Sequence, residues 1–505
     1  MKNYPYYEHK KLADFEELLS LNLDSRKNKT AFRFMVQRKV KKISYQDLYE
    51  DAHNLANFLA KKYQNSHIAI VAGNSYEWIV AFFGIVLSNN TVVVVDKNLG
   101  DETIDKYLKA TDVKAILTDK IDFSKYEQIN IKEVTGLKGR KMSHYGGGKV
   151  IFFTSGTTGF GKPVVLTEKS IMADVYAASS LFQPDGAIFA VLPFHHAFGL
   201  ITTILKPMYY NCPIFINSSL KKIAEEIKVA KPQTLFLVPA FVESFYRQIL
   251  KMAKKNHQEQ KMKRALRISG GLGMLGIDVR RKFFGSIHNF FGGKLKYIIC
   301  GGAYLDKKYV KWFRKIGIEI LNGYGITECS PVISVNRNHY GRDGSVGVAV
   351  RDNEVKIIDG EICVKGDIVM EGYYKKPKET AEVMKDGFYH TGDLGYIDKD
   401  GFIFVTGRKK NLIILSNGEN VSPEEIEVEL MKDKGVREVM VSEKDQKIVA
   451  EIYPEERLMG RKEYFDETIM RYNRRVPINR RVTKVQLRDE EFRKNNSRKI
   501  IRNYK

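Results

Sequence analysis

Short apolar runs rich in β-branched residues recur along the first three hundred residues. "HIAIVAG" (67–73), "TVVVVD" (91–96) and "VKAILTD" (113–119) each predict a strand. Between them "SYEWIVAFFGIVLSNN" (75–90) predicts a buried helix and "DETIDKYLKATD" (101–112) a second helix. The pattern returns with the strand "CPIFIN" (212–217), the helix "SLKKIAEEIKVAK" (219–231) and the strand "TLFLVPA" (234–240). In that helix Leu220, Ile223, Ala224, Ile227 and Ala230 are expected on one apolar stripe. A long basic helical region over 242–267 follows, then the strand "KLKYIICGG", the helix "DKKYVKWFRKIG" and "IEILNGYGIT". Strands separated by helices argue for parallel βαβ units, so an α/β fold with two stacked α/β layers is expected.

After about residue 345 the texture changes. "EVKIID", "GEICVKGDIVMEGYY" and "GFIFVTGR" alternate and turn on Gly or Asp-Gly, as β-hairpins do. "IDKDGFIF" lacks the closing acid of a calcium loop. Beyond "GRKKN" comes a compact αβ pattern with a basic tail. The expected organisation is a large N-terminal domain, 1–407, with its β-rich part at about 345–407. A small mobile α+β C-terminal domain, 408–505, follows.

Composition narrows the class. A chain of 505 residues is too long for one core, and 43% hydrophobic with 28% charged residues is ordinary for a globular protein. The four cysteines, Cys212, Cys300, Cys329 and Cys363, have no paired spacing and suit a reducing compartment. The N-terminus lacks the apolar core of a signal peptide, and the longest apolar run, Trp78 to Leu87, is about half of what a membrane span needs. A soluble cytoplasmic protein is expected, with membrane contact at most peripheral. The net charge is +23, and Arg461 to Lys505 holds fifteen Lys/Arg against six Asp/Glu. Such a field favours polyanions, although a basic, Lys-rich proteome accounts for it equally well. No helix-turn-helix, zinc-finger or aromatic RNA-binding pattern is present, so nucleic acid is not expected as a partner.

The chemistry is concentrated in "KVIFFTSGTTGFGKPVVLTEKS" (149–170). Its spacing from Gly156 to Gly161-Lys162 is nearly that of a P-loop, but Pro163 stands where a P-loop has Ser or Thr, and a strand follows instead of a helix. Thr154, Ser155, Thr157 and Thr158 interleave with Gly156 and Gly159, with Lys162 beside them. Small hydroxyls and glycines let N–H and O–H groups converge on phosphate oxygens, although a bare loop of this kind also suits a surface turn.

This stretch resembles the phosphate loop of the adenylate-forming (AMP-binding) superfamily, which includes acyl-CoA synthetases, peptide-synthetase adenylation domains and luciferases. "ICGGAYLD" (299–306), "NGYGITECSPVISVN" (322–336), "YHTGDLGYIDKDGFIFVTGRKKNLI" (389–413) and "NNSRKIIR" (495–502) match in the family's order. "GSVGVAV", "VMEGYYKKPKETAEVMKDGFYHTGDLG" and "LIILSNGENVSPEEIE" look most like bacterial long-chain fatty acyl-CoA synthetases.

The resemblance implies roles for particular residues. Gly301, Gly302 and Ala303 would let the backbone approach adenine, with Tyr324 and Gly325 beside them and Tyr324 stacking on the base. Asp393, assisted by Arg408, would accept hydrogen bonds from the ribose hydroxyls. Glu328 would coordinate Mg²⁺ with the Thr154 hydroxyl close by, and Thr327 would contact the α-phosphate. Lys499 would stabilise the transition state of acyl-adenylate formation, and Lys410 would be the hinge of a swinging C-terminal domain. That swing would bring in a CoA face near Ser416, Asn417 and Gly418. Phe194, His195 and His196 in "LPFHHAFGL" would lie at the acyl pocket, where either histidine suits packing or gating alike. "FLVPAFVESFY" (236–246) is a candidate apolar lining and equally suits plain core.

The chain departs from the family pattern in two places. Gly161 and Pro163 exchange the family's Pro-Lys-Gly order around Lys162, and Arg498 replaces the Gly expected before Lys499. The expected function is an ATP- and Mg²⁺-dependent ligase. It would join a fatty or related apolar carboxylic acid to CoA through acyl-AMP, releasing pyrophosphate. An acyl carrier protein as acceptor is the alternative, and a catalytically inactive binding homologue is a third reading resting on Arg498 and Pro163.

Overall fold

A computed structural model describes residues 4–21, 23–120, 123, 125–138, 142, 144–154, 161–274, 278–414, 420–444, 447–494 and 500–502. Among these residues the main body is built on two large sheets. The first has seven strands in the order Gly372–Tyr373, Pro163–Thr167, Lys149–Phe153, Thr91–Val94, His67–Val71, Val113–Thr118 and Glu127–Asn130. Its five strands from Lys149–Phe153 onward run parallel, as βαβ units require.

Strand alternation divides the apolar residues of this sheet. Ile68, Ile70, Val92 and Val94 enter the main core. Ala69, Val71, Val93 and Ile116 face a separate cluster beneath the helix Asp101–Ala110. The helix Tyr76–Leu87 is buried on nearly every side, because it lies between the two layers.

The second sheet has nine strands, with Glu319–Gly325, Tyr297–Cys300, Thr234–Leu237, Ile188–Ala190 and Ile214–Ile216 as its parallel centre. The expected α/β layers are therefore present. Two details differ from the sequence reading. Leu220 and Ala224 are exposed, and the buried stripe is Ile223, Glu226, Ile227 and Ala230. The long basic helical region is two helices, Pro239–Lys255 and Glu259–Met274, with a break between them.

The β-rich part centres on the hairpin Glu354–Ile358/Glu361–Lys365, whose Asp359-Gly360 turn has φ of 50° and 77°. Positive φ at both central residues matches the right-handed twist of the flanking strands. Phe388–Ile397 and Ile403–Arg408 complete it. This part does not stand alone: Gly372–Tyr373 pairs with Pro163–Thr167, and Val348–Ala349 pairs with Val332–Val335. From Ile413 onward a separate hydrophobic cluster forms between the helices Pro423–Leu430 and Lys462–Asn473 and the sheet of Val436–Lys444, Lys447–Pro454 and Lys484–Leu487. No helix among the described residues is long and apolar enough to cross a membrane.

Candidate functional site

A cleft of about 2590 Å³ lies between the main body and the C-terminal elements. Its floor begins with a cross-strand pair. Antiparallel register sets Asp393 on Phe388–Ile397 opposite Arg408 on Ile403–Arg408. The Arg408 Nε lies 2.6 Å from Asp393 Oδ1, and the Tyr324 hydroxyl donates to Oδ2 at 2.7 Å. Asp393 is only 4% exposed, so both bonds act on a desolvated carboxylate and are stronger than surface contacts. Burial opposes the charge on Arg408, but Asp393, with Tyr324 and Glu328, outweighs it and raises the guanidinium pKa.

Two further residues shape this turn, and neither was expected from the sequence. The Glu361 carboxylate accepts from Gly392 N–H at 2.7 Å and pairs with Lys409 Nζ at 2.9 Å. Gly392 has φ of 71°, which a side chain would strain. Thr391 Oγ1 accepts from Asp393 N–H.

The adjacent segment carries the candidate metal and α-phosphate ligands. Tyr324 and Gly325 end the strand Glu319–Gly325, and Thr327 and Glu328 form the short turn Thr327–Cys329. A Cβ at Gly325 would lie 1.7 Å from Pro331 O, so the chain can double back here only with glycine. Burial pushes the Glu328 carboxyl above the ordinary carboxylate range, partly offset by hydrogen bonds that include one from the Tyr373 hydroxyl at 3.0 Å. Among the described residues no Lys, Arg or His lies within 4.0 Å of it. A desolvated carboxylate that feels the Arg408 charge but makes no ion pair among the described residues fits a cation. With the Thr154 hydroxyl on the same cleft, the donors are hard oxygens of the kind Mg²⁺ takes in small number from protein.

The candidate phosphate loop is anchored at its base. The strands Lys149–Phe153 and Pro163–Thr167 pair antiparallel, Thr154 N–H donates to Lys162 O, and Lys162 N–H donates to Thr154 Oγ1, both at 3.1 Å. Gly161 N–H donates to the Tyr107 hydroxyl at 3.1 Å. The Lys162 ammonium lies 4.6 Å from the centre of the Tyr373 ring, whose hydroxyl holds Glu328. Pro163 occupies the first position of its strand, where a missing N–H costs the ladder little. Ser155, Gly156, Thr157, Thr158 and Gly159 lie outside the described residues, as do Ser416, Asn417, Gly418, Arg498 and Lys499.

The remaining candidates divide. Gly302 and Ala303 line the cleft, while Gly301 is buried, and a Cβ on it would meet the Phe198 ring at 3.2 Å. Of the proposed acyl gate, only His196 lines the cleft. Phe194 is a core residue packed edge-on against Trp78, and His195 is buried 3.5 Å from Asp96 with its pKa lowered by desolvation. From "FLVPAFVESFY" only Val238 and Phe241 reach the cleft, joined there by Val191, Leu192 and Phe198. Lys410 also lines the cleft, its pKa lowered by burial and then by Arg408.

These residues come from separate chain segments, yet they face one space with a polar floor and an apolar wall. The sequence profile of the AMP-binding enzyme family matches residues 20–145 and 149–374, and the chain belongs to that family. Over 304 residues it is 31% identical to a long-chain-fatty-acid–CoA ligase of Salmonella typhimurium, covering 57% of this chain and 48% of that one. It is 26% identical over 471 residues to long-chain-fatty-acid–CoA ligase 5 of Mus musculus, covering 79% and 68%. The chain thus spans about half the length of the first of these curated relatives. Among solved structures, the o-succinylbenzoate–CoA synthetase of Bacillus subtilis with its acyl-adenylate intermediate superposes with a TM-score of 0.78 at 20% identity, covering 97% and 98%. The anthranilate–CoA ligase AuaEII with anthranoyl-AMP superposes at 0.77 and 17%, covering 99% and 98%. The fold is that of the adenylate-forming enzymes.

Proposed function

We propose that the protein is an ATP-dependent acid–thiol ligase of the fatty acyl-CoA synthetase type. The observation that carries this reading is the meeting, on one cleft, of three groups of residues. Asp393, Arg408 and Tyr324 suit a ribose diol, Lys162 and Thr154 a polyphosphate, and Val191, Leu192, Phe198, Val238 and Phe241 an apolar acid. The names of the curated relatives support a fatty acid over the aromatic acids of the structural neighbours.

In the first half-reaction an oxygen of the substrate carboxylate attacks the α-phosphorus of ATP, and the bond to pyrophosphate breaks. Asp393 holds the ribose, Thr327 contacts the α-phosphate, and the Lys499 ammonium stabilises charge that spreads over the phosphoryl oxygens. Glu328 and Thr154 would hold Mg²⁺, which supplies neutralisation of phosphate charge. In the second half-reaction the CoA thiolate attacks the acyl carbon and AMP leaves. We assign the division at 407/408 to a mobile C-terminal domain hinged at Lys410, with Ser416, Asn417 and Gly418 on the CoA face. The four cysteines, all buried and free, support a reducing compartment such as the cytoplasm.

Pyrophosphate release with ATP, Mg²⁺ and a panel of fatty acids, with and without CoA, tests the reading. Turnover should require both acid and CoA, yield AMP, and collapse in Lys499→Ala. ADP as the main nucleotide product would overturn it.

A further inference from the structure

The cleft uses only the first turns of the helix Pro239–Lys255, through Phe241 beside Val238. The same helix then runs about 20 Å outward to a surface of a different kind. From Arg247 to Arg267 the chain holds eight lysines and arginines against one acid, Glu259. Lys251, Lys254, Lys255, Lys261, Lys263, Arg264 and Arg267 are exposed, and among the described residues none of them has an acid within 4.0 Å. Elsewhere on the surface long cations do find acids, as Arg314 does with Asp343 and Arg342 with Asp398.

The second helix, Glu259–Met274, shows why these charges share a surface. Met262, Ala265 and Leu266 turn inward onto the main core, and Ser269 is buried. Lys261, Lys263, Arg264 and Arg267 therefore fall on the outer side. Large apolar side chains stand exposed on these helices and on the short helix Arg280–Phe283 packed against the second: Met252 at 38%, Ile268 at 53%, and Phe283, which follows Arg281 and Lys282, at 42%.

We infer that this basic helical hairpin is a docking surface for an anionic lipid bilayer. Two features select that partner. Each lysine or arginine near an anionic membrane gains electrostatic attraction that salt screens. Exposed apolar side chains set among cations reach the boundary between headgroups and acyl chains, as in interfacial amphipathic helices. A nucleic acid would satisfy the cations and give Ile268, Met252 and Phe283 nothing to bury against. The contact is peripheral, since none of these helices crosses a bilayer.

Flotation of the whole protein with phosphatidylcholine vesicles, and with vesicles in which part of that lipid is replaced by phosphatidylglycerol, tests the inference without any turnover. Failure of the ligase reading would therefore not be confused with failure here. Binding should require the anionic lipid and weaken as salt rises. A Lys251→Glu, Lys254→Glu, Arg264→Glu, Arg267→Glu variant should bind at least about a hundredfold more weakly. Its salt dependence should flatten, while its turnover of a short, water-dispersed acid stays unchanged. A second variant, Ile268→Ser with Phe283→Ser, should bind more weakly with the salt dependence retained. Equal binding to neutral and anionic vesicles would overturn the inference. So would full binding by the charge-reversed protein, or displacement of the wild-type protein from vesicles by RNA at concentrations where the vesicles are in excess.

Discussion

Asp393 shows how much of the site depends on single atoms. Its carboxylate is nearly sealed from water and serves both Arg408 and Tyr324, so removing its charge takes a strong acceptor from a half-buried guanidinium and from the tyrosine hydroxyl. Asp393→Asn should lower kcat/KM for ATP by about a hundredfold, corresponding to about 3 kcal/mol from one or two charge-assisted bonds. Steady-state kinetics at varied ATP measures it, and an unchanged KM for ATP would remove Asp393 from the ribose site. Glu361 acts one step further back, through Gly392 N–H and Lys409. Glu361→Gln keeps an acceptor for Gly392 and should raise KM for ATP by no more than about tenfold at unchanged kcat. Glu361→Ala should exceed that. Gly161 is constrained differently. A Cβ there would lie 2.0 Å from Thr154 O, closer than any real contact, and Thr154 N–H and Oγ1 both help close the loop base. Gly161→Ala should therefore raise KM for ATP by at least about tenfold while Tm moves by only a few degrees, because the clash sits at a loop margin and not in the core.

At the level of elements, the strands and helices of the parallel sheets were legible because β-branched runs and glycine-bounded helices repeat along the chain. What escaped was local phase and long-range pairing. The stripe of 219–231 keeps Ile223, Ile227 and Ala230 but loses Leu220, which lies in the turn Leu220–Lys222 before the helix begins. Glu226 is buried because it accepts from Asn217 Nδ2, Ser218 N–H and Ser218 Oγ, a polar pocket that no periodicity announces. Phe194 and His195 sit in a loop, where neighbouring side chains have no fixed alternation, so sequence could not say which faces the cleft. Glu361 carries no local signal either, since its partners lie 31 and 48 residues away. The helix Pro423–Leu430 gives a pH prediction of its own. Burial raises the Glu427 carboxyl from 4.5 to about 7, with Arg502 pulling the other way. The folded state thus holds a proton that the unfolded chain releases near 4.5. Glu427 should cost nothing below that pH and progressively more up to about 7, with a plateau above, for a total of up to about 3 kcal/mol. Glu427→Gln should flatten that part of the stability profile in denaturant titrations across the same range. Glu168, also raised to about 7 by burial, is the control whose separate contribution should survive the Glu427 substitution.

On the scale of the whole molecule, the cleft is bounded by two hydrophobic cores that share no residue, and the chain passes between them through the turn Lys409–Asn411. The anchors on either side of that turn support the proposed pivot. Arg408 is held to Asp393 and Lys409 to Glu361, both on the main body. Asn411 Nδ2 donates to Glu424 on the helix Pro423–Leu430 at 2.6 Å. Lys410 is the residue between them, so a rotation of the C-terminal elements that keeps these anchors must be absorbed by its φ and ψ. Proline there would fix φ near about −65° and restrict the preceding Lys409 as well. If the two half-reactions use two orientations, Lys410→Pro should preserve one of them and lose the other. We expect the acid-dependent burst of pyrophosphate to persist within about threefold, while thioester formation from isolated acyl-AMP and CoA falls by at least about a hundredfold. Rapid-quench measurement of each half-reaction separates the two. Equal losses in both would mean that Lys410 acts through its charge in the cleft, and Lys410→Ala, which leaves φ free, would then reproduce the proline variant instead of restoring the second step.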